Sequence, residues 1–134
     1  MKIEWSENLS VSYELIDNQH KELINRINTL LTAMAKGQGR DKLSEIIEFI
    51  GSYVDIHFGT EEELMKKHNY PAYESHKNEH KLLIAEFLNK KTLIEKSNPT
   101  SSDVIKTYNW LADWLANHIM HTDMELGPFL KQKI

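Results

Sequence analysis

The stretch between His57 and His80 constrains the fold more than any other part of the chain. His57 and Glu61 are four residues apart, as are His76 and His80, and a turn containing Pro71 separates the two pairs. Residues four apart lie on one face of an α-helix, and proline ends or begins a helix. Facing positions in an antiparallel helical hairpin have residue numbers with a constant total, and both His57/His80 and Glu61/His76 obey this rule. The stretch therefore predicts two antiparallel helices with four potential metal ligands between them.

Apolar residues recur at spacings of three and four in four separate segments, which is typical of amphipathic helices. Gly37 and Gly39 separate the first two segments, and a polar loop at 97–102 separates the last two. Short connections between such helices predict an all-α, up-down-up-down antiparallel four-helix bundle. The predicted helices span about 18–36, 41–67, 72–96 and 103–122.

Both ends of the chain lie outside the four predicted helices. Residues 1–16 are predicted as an extended arm, because apolar and polar residues alternate over 9–15 as they do in a strand or an ordered strap. Trp5 is the expected anchor of the arm, since so large a ring is seldom left in water. Asp17 is the expected N-cap of the first helix. A short C-terminal turn is predicted at 127–130.

Length and composition restrict the function classes. A chain of 134 residues is expected to form a single domain over 1–134. The net charge of −4, with scattered lysines and arginines, gives no reason to expect nucleic acid or an anionic membrane as partner. The absence of cysteine excludes thiolate metal sites, thiol catalysis and disulfides. No segment has the length of a membrane span or the character of a signal peptide, so a cytoplasmic protein is expected. The oligomeric state stays open, with a monomer favoured.

The constant total of facing residue numbers predicts that one histidine from each helix lies at the same height in the bundle. His20 faces His57, and His80 faces His118, about centres that fall inside the predicted turns. A single histidine on an apolar stripe is usually an ordinary core residue. Several imidazoles and a carboxylate at one level are costly to bury without partners, and a metal ion supplies a partner for all of them. Imidazole and carboxylate without thiolate suit iron, manganese, zinc or copper.

The number of potential ligands predicts two metal ions, because one ion cannot readily use five imidazoles and a carboxylate from four helices. Further ligands are sought beyond His118, where His121, Thr122, Asp123 and Glu125 are the candidates. Regular helical spacing favours His121 or Thr122 as the neighbours of His118 on the same face. Spacing alone does not choose among the candidates.

A set of residues spread over nearly the whole chain matches a known family pattern. The set comprises Trp5 in the arm, Gln19 with His20, His57 and Phe58 with Glu61 and Glu62, His76 with His80, and His118 and Ile119 with Asp123. In these residues the chain resembles the bacteriohemerythrins, single-domain members of the hemerythrin family. All seven ligand positions of the family motif are filled, with no departure in residue type or spacing.

The resemblance implies a non-haem di-iron centre whose two iron ions share an oxo or hydroxo bridge. It implies that one iron is bound by His76, His80 and His118, the other by His20 and His57, and both by the bridging carboxylates Glu61 and Asp123. Asp123 follows His118 by five residues, so the resemblance also implies that the fourth helix ends or widens there, as in a π-type turn.

Counting ligands on this implied centre leaves one open position, on the iron bound by His20 and His57. The family binds dioxygen reversibly at this position. Apolar side chains are expected to keep water from the open position. The side chains expected nearest to it are those of Ile24, Phe58, Trp114, Leu115 and Ile119.

Three classes of function are compatible with these residues. The resemblance favours a non-enzymatic dioxygen-binding protein that serves storage, delivery or sensing. The second class is a di-iron oxidase, peroxidase or nitric oxide reductase, and the third is a metal-free or zinc-bearing structural bundle. Five histidines and two carboxylates differ from the glutamate-rich sites of ferritin-like oxidases and favour reversible binding. His68 and His121 are expected outside the centre, and Glu62 and Glu63 on a solvated face.

Overall fold

The computed structural model describes residues 3–133, and the elements within them are helical. In chain order they are a 3₁₀ turn (Glu7–Leu9), α1 (Glu14–Ala35), α2 (Gly39–Lys67), α3 (Tyr73–Lys96), α4 (Ser101–His118), a π-helical segment (Ile119–Asp123) and α5 (Met124–Gln132). The helices α1 to α4 pack as the predicted four-helix bundle, so the all-α fold is confirmed. The first two residues of the predicted arm and the last residue of the predicted domain lie outside the described residues.

The core of the bundle is formed by the apolar stripes of α1, α2 and α4. These stripes are buried from end to end, and the α2 stripe includes His57 and Glu61 among its apolar residues. In α3, by contrast, only His76, His80 and Phe87 are buried. The burial of α3 is therefore concentrated on the face that carries its two histidines.

Tight turns align the first three helices. Gly37 follows α1 with a φ of +73°, a left-handed conformation that glycine adopts without steric cost. Gly39 begins α2 two residues earlier than predicted and packs closely, because a Cβ atom there would lie 2.8 Å from Cγ of Met34. Asn69 adopts a φ of +55° between α2 and α3. These turns bring the histidines of neighbouring helices to one level.

The first helix starts earlier than the sequence indicates. It begins at Glu14, so the predicted arm over 1–16 is too long, and the prediction of Asp17 as the N-cap is wrong. The Asp17 carboxylate instead lies in the first turn of α1 and accepts hydrogen bonds from Val11 N (2.8 Å) and Ser10 Oγ (2.6 Å). The carboxylate thus ties the arm to the start of α1, where a negative charge also complements the helix dipole.

The arm is tied to the far end of the bundle by polar contacts. The Tyr108 hydroxyl accepts a hydrogen bond from Ile3 N (2.9 Å) and donates to Asn28 Oδ1 (2.9 Å), while Asn28 Nδ2 donates to the Ile3 carbonyl (2.6 Å). Trp5, the expected anchor, is half-buried, and the Lys21 ammonium lies 5.0 Å from its ring centroid. The arm therefore follows α1 along its length.

The C-terminal region departs most from the prediction. The fourth helix is regular only to His118 and does not continue to 122 as periodicity predicted, whereas the π-type widening that the resemblance implied is present at Ile119–Asp123. The predicted short turn at 127–130 is part of α5. Gly127 lies directly beneath the arm, since a Cβ atom there would clash with the Val11 carbonyl. None of the helices among residues 3–133 combines the length and the apolar character needed to span a membrane.

Candidate metal centre

Four histidines, one from each of the helices α1 to α4, meet inside the bundle. The ring centroid of His57 lies 4.6 Å from that of His20 and 6.2 Å from that of His118, which in turn lies 5.2 Å from that of His80. His76 joins them one turn away on α3, with its ring centroid 4.5 Å from that of His80. The structure thus brings together all five histidines that the sequence pointed to.

Glu61 lies between the two groups of histidines and is fully buried. Its Oε1 atom faces the larger group, at 3.0 Å from His80 Nε2 and 3.4 Å from His76 Nε2. Its Oε2 atom faces the other group, at 3.6 Å from His57 Nε2. One carboxylate therefore directs one oxygen atom to each side.

Asp123 also directs one oxygen atom to each group of histidines. Its Oδ1 atom lies 3.0 Å from His118 Nε2 and 3.2 Å from His76 Nε2, whereas Oδ2 lies 2.7 Å from His20 Nε2 and 3.4 Å from His57 Nε2. The π-helical segment makes this possible. Five residues separate His118 from Asp123, and a π-type turn, with its i→i+5 hydrogen bonds, brings residues at that separation to one face.

A second set of side chains holds the outward-facing Nδ1 atoms of three imidazoles. His57 Nδ1 donates to Gln19 Oε1 (2.7 Å), and the Gln19 amide in turn donates to Thr60 Oγ1 (3.1 Å). His80 Nδ1 donates to Glu62 Oε2 (2.9 Å). A neutral imidazole that donates through Nδ1 presents the lone pair of Nε2, the form needed to bind a metal.

The third of these contacts comes from Glu79 on α3. Glu79 Oε2 accepts a hydrogen bond from His118 Nδ1 (2.8 Å) and another from Thr122 Oγ1. Burial opposes ionisation of Glu79, but the bonds from His118 and Thr122 outweigh it and lower the pKa of its carboxyl group. Glu79 therefore carries its negative charge next to the cluster at neutral pH.

The charges inside the cluster depend on one another. Burial and the neighbouring Asp123 disfavour ionisation of Glu61, but His57, His118 and His76 outweigh them and lower the pKa of Glu61. Burial alone would lower the pKa of His76, yet the negative carboxylates of Asp123 and Glu61, which face its Nε2 atom, raise it to about 9. Without a metal ion, the two carboxylates are therefore compensated by protonated imidazoles.

Several buried atoms at the centre have no hydrogen-bond partner among the described residues. They are His76 Nε2, His118 Nε2, Glu61 Oε2 and Asp123 Oδ1, together with the outer Nδ1 atoms of His20 and His76. The first four converge on the interior of the cluster. Unpaired buried polar atoms are costly, and a positive ion that accepts their lone pairs removes that cost. The donor set therefore fits metal ions.

Within residues 3–133, two overlapping groups have their donor atoms within 4.8 Å of one another. The first is Glu61, His76, His80, His118 and Asp123, and the second is His20, His57, Glu61 and Asp123. His121 is exposed and His68 is half-buried at the end of α2, and neither belongs to these groups. Periodicity favoured His121 or Thr122 as neighbours of His118, but the π-helical segment brings in Asp123.

The apolar residues expected around the centre are all buried, namely Ile24, Phe58, Trp114, Leu115 and Ile119. Phe58 differs from expectation in its neighbours. Its ring stacks on that of His80, with centroids 3.9 Å apart, and lies 5.1 Å from His118, so its closest imidazoles belong to the three-histidine group. The sequence had placed it beside His20 and His57.

The outer partners were the part of the site that the sequence left undetected. Glu62 was expected on a solvated face and instead holds His80. No role was predicted for Glu79, and Thr122 was considered only as a same-face neighbour of His118 and not as a partner of Glu79. One signal was present, since Glu62 and Glu79 are each adjacent in sequence to a residue of the cluster. That signal is weak, because charged residues at the edge of a helix stripe are usually solvated.

Fold and site together define a class of four-helix bundle that encloses a histidine and carboxylate cluster suited to metal ions. A family pattern described as "Hemerythrin HHE cation binding domain" matches residues 11–130. The chain therefore belongs to the hemerythrin family.

Related proteins cover most of the chain. A protein named bacteriohemerythrin from Stenotrophomonas maltophilia (strain R551-3) is 32% identical over 127 residues, which are 95% of this chain and 80% of that protein. A protein named myohemerythrin from Theromyzon tessulatum is 34% identical over 122 residues, covering 91% of this chain and 88% of that protein. The similarity thus includes the arm, the bundle and the C-terminal region.

Solved structures give the same result for the fold. A crystal structure of wild-type hemerythrin superposes with a TM-score of 0.80, covering 96% of this chain and 97% of that chain at 26% identity. A crystal structure described only as that of a Leu-to-Phe mutant also superposes with a TM-score of 0.80, covering 96% of each chain at 25% identity. Both results agree with the four-helix bundle derived from the sequence.

Proposed function

We propose that this protein binds dioxygen reversibly at a centre of two iron ions and is not an enzyme. One observation carries the proposal. Two groups of buried ligands overlap in Glu61 and Asp123, and each of these carboxylates directs one oxygen atom to each group. Such an arrangement suits two neighbouring ions joined by shared carboxylates. Membership of the hemerythrin family supports iron over the other metals that imidazole and carboxylate accept.

In this proposal the two ions have different ligand sets. One is bound by His76, His80 and His118, the other by His20 and His57, and both by Glu61 and Asp123. Two iron ions joined by an oxo or hydroxo bridge would supply the electrons and the one open coordination position that reversible dioxygen binding requires. The unequal number of histidines accounts for the open position, on the side of His20 and His57.

The chain has three tasks at this centre. The outer partners hold the imidazoles in the form that binds metal, as Gln19 does for His57. The bridging carboxylates balance the positive charge of the ions in a dry interior. Buried apolar side chains keep water and protons away from the open position, and we assign this role to Ile24, Trp114, Leu115 and Ile119 with Phe58 on the opposite side.

Iron analysis tests the metal part of the proposal. Protein produced with iron available is expected to hold two iron ions per chain, by elemental analysis of the purified protein. A value below about one per chain would contradict the di-iron centre and favour a zinc-bearing or metal-free structural bundle.

An oxygen cycle tests the binding part. The reduced protein is exposed to dioxygen and then returned to an oxygen-free atmosphere while its visible absorption is recorded. Reversible binding predicts an absorption spectrum that appears with dioxygen and vanishes when dioxygen is removed. Direct conversion to the ferric form with release of peroxide would support an oxidase instead.

The proposal extends to the setting in which the protein works. We propose a cytoplasmic monomer that stores, delivers or senses dioxygen. Sedimentation at micromolar concentration tests the monomer, and cell fractionation tests the location. Comparison of the dissociation rate of dioxygen with the respiratory demand of the cells separates storage and delivery from sensing.

A further inference from the structure

The Glu79 carboxylate joins two residues on either side of an irregular backbone segment. A single oxygen atom, Oε2, accepts hydrogen bonds from His118 Nδ1 and from Thr122 Oγ1. His118 is the last residue of α4, and Thr122 lies inside the π-helical segment Ile119–Asp123. The carboxylate comes from α3, 39 and 43 residues away in sequence. Glu79 thus connects the residue before the π-helical segment with a residue near its end, from a different helix.

The same segment has an alternative, regular form. In a continuous α-helix the residue on the face of His118 would be Thr122, four positions later, and Asp123 would point away from the cluster. The π-helical form is rare and occurs mostly as a local widening at functional sites. Some contact must therefore favour it over the regular helix. Glu79 has the geometry to do so, because it binds Thr122 outside the cluster.

We propose that Glu79 is a positioning residue that holds Thr122 on the outside of the cluster, so that the segment stays π-helical and Asp123 faces the histidines. The neighbouring Glu62 provides a comparison within the same protein. Glu62 also accepts a hydrogen bond from a histidine Nδ1, that of His80, but no contact with the π-helical segment is described for it. Only Glu79 combines the two contacts among the described side chains.

Hydrogen exchange of backbone amides tests this role of Glu79. Exchange is measured by residue on the full-length protein as isolated, with iron content determined on the same preparation. Glu79→Ala and Thr122→Val are expected to accelerate exchange about tenfold in residues 119–124, because each removes the bond that holds the segment. Thr122→Ser keeps the hydroxyl group and is expected to exchange at the original rate, as is Glu62→Ala in this segment.

Release of iron to a chelator provides the second readout, and it rests on the proposed iron centre. Glu79→Ala and Thr122→Val are expected to release iron roughly tenfold faster or more, and Thr122→Ser is expected to restore the slow rate. Glu62→Ala is expected to accelerate release without changing exchange in the segment. This pattern separates the holding of the backbone from simple support of an imidazole.

Unchanged exchange in both Glu79→Ala and Thr122→Val would overturn the proposal, as would equal acceleration in Glu62→Ala or in Thr122→Ser. If Glu79→Ala does not fold, Thr122→Val decides by itself. If the unmodified protein holds no iron, the proposed function fails, whereas the exchange comparison still decides the role of Glu79.

Discussion

Two layers of the bundle occupy the same four helix faces and differ in chemistry. The histidine layer consists of His20, His57, His80 and His118. An apolar layer lies seven residues, or two helical turns, away along each helix. It consists of Ile27, Ile50, Phe87 and Leu111. All eight side chains are buried. Burial alone stabilises the apolar layer, by about 1.5–3 kcal/mol for each large side chain, whereas the same burial is a cost for the imidazoles.

The difference shows what the histidine layer requires. Its members are surrounded by partners, inside by Glu61 and Asp123 and outside by Gln19, Glu62 and Glu79. The apolar layer needs only complementary shapes. The bundle can therefore hold an unfavourable polar site because the rest of its core is apolar, and the two layers should respond differently to mutation, to metal and to pH.

The largest difference in behaviour between the two layers is expected from His57→Ala. Removing this imidazole should abolish tight binding at one of the two proposed ions, and with it the stabilisation that bound metal provides. That stabilisation amounts to about 4 kcal/mol when the free metal concentration is 1,000 times the dissociation constant. Thermal unfolding with and without iron measures it, and the difference between the two should collapse in His57→Ala. An undiminished difference would show that metal and fold are not coupled.

A somewhat smaller effect is expected from Leu111→Ala in the apolar layer. The side chain is fully buried, so its truncation should cost about 3 kcal/mol of unfolding free energy, within the 2–5 kcal/mol typical of such changes. The loss should be equal with and without iron, because no ligand is touched. Denaturant unfolding measures it, with the exposed Leu93→Ala as the matched control. A loss of unfolding free energy confined to the iron-loaded protein would show that the apolar layer does not respond independently of the histidine layer.

The third effect is a dependence on pH that changes sign with metal. In the metal-free protein burial opposes the charge on His76 and His118, but their carboxylate partners raise the pKa of both, that of His76 to about 9. The protonated imidazoles of His76 and His118 therefore stabilise the metal-free fold. This stabilisation is complete below pH 6.5, the pKa of histidine in the unfolded chain, and is lost as the pH rises through about 9. Below pH 6.5, His20 partly offsets this stabilisation, because burial lowers the pKa of His20 and so opposes its protonation.

With metal bound, the same rise in pH should have the opposite result. The imidazoles bind as neutral ligands, so metal binding releases protons and becomes tighter as the pH increases. Thermal unfolding between pH 6.5 and 9, with and without iron, checks this expectation. Parallel pH profiles for the two forms would contradict it, since the histidine layer would then titrate independently of metal.

The smallest effect is expected from Thr100→Ala, which touches neither layer. Thr100 caps α4 by accepting a hydrogen bond from Asp103 N, while the Asp103 side chain accepts one from Thr100 N. Loss of such a cap costs about 1 kcal/mol. The melting temperature should fall slightly and the iron content should not change. A loss of iron would mean that the start of α4 controls the histidine layer at its other end.

The sequence by itself determined the bundle and most of the candidate site. Helical periodicity predicted four antiparallel helices, and the constant total of residue numbers brought His20, His57, His80 and His118 to one level. Both inferences rest on local geometry, because the period of a helix and the position of a turn depend on nearby residues. The structure brings these histidines together as that geometry requires.

The tertiary structure alone decided the features that depend on contacts between distant segments. Periodicity assumes a regular helix and so favoured His121 or Thr122, and only the family resemblance implied Asp123 and a π-type turn. The contact of this π-helical segment with Glu79 from another helix came from the structure alone. Glu62 and Glu79 resemble solvated side chains in the sequence, because a helix does not reveal which neighbour covers its edge. The five histidines and Glu61 follow from the spacing within each helix, Asp123 follows from the family resemblance, and the outer partners follow from how the helices pack.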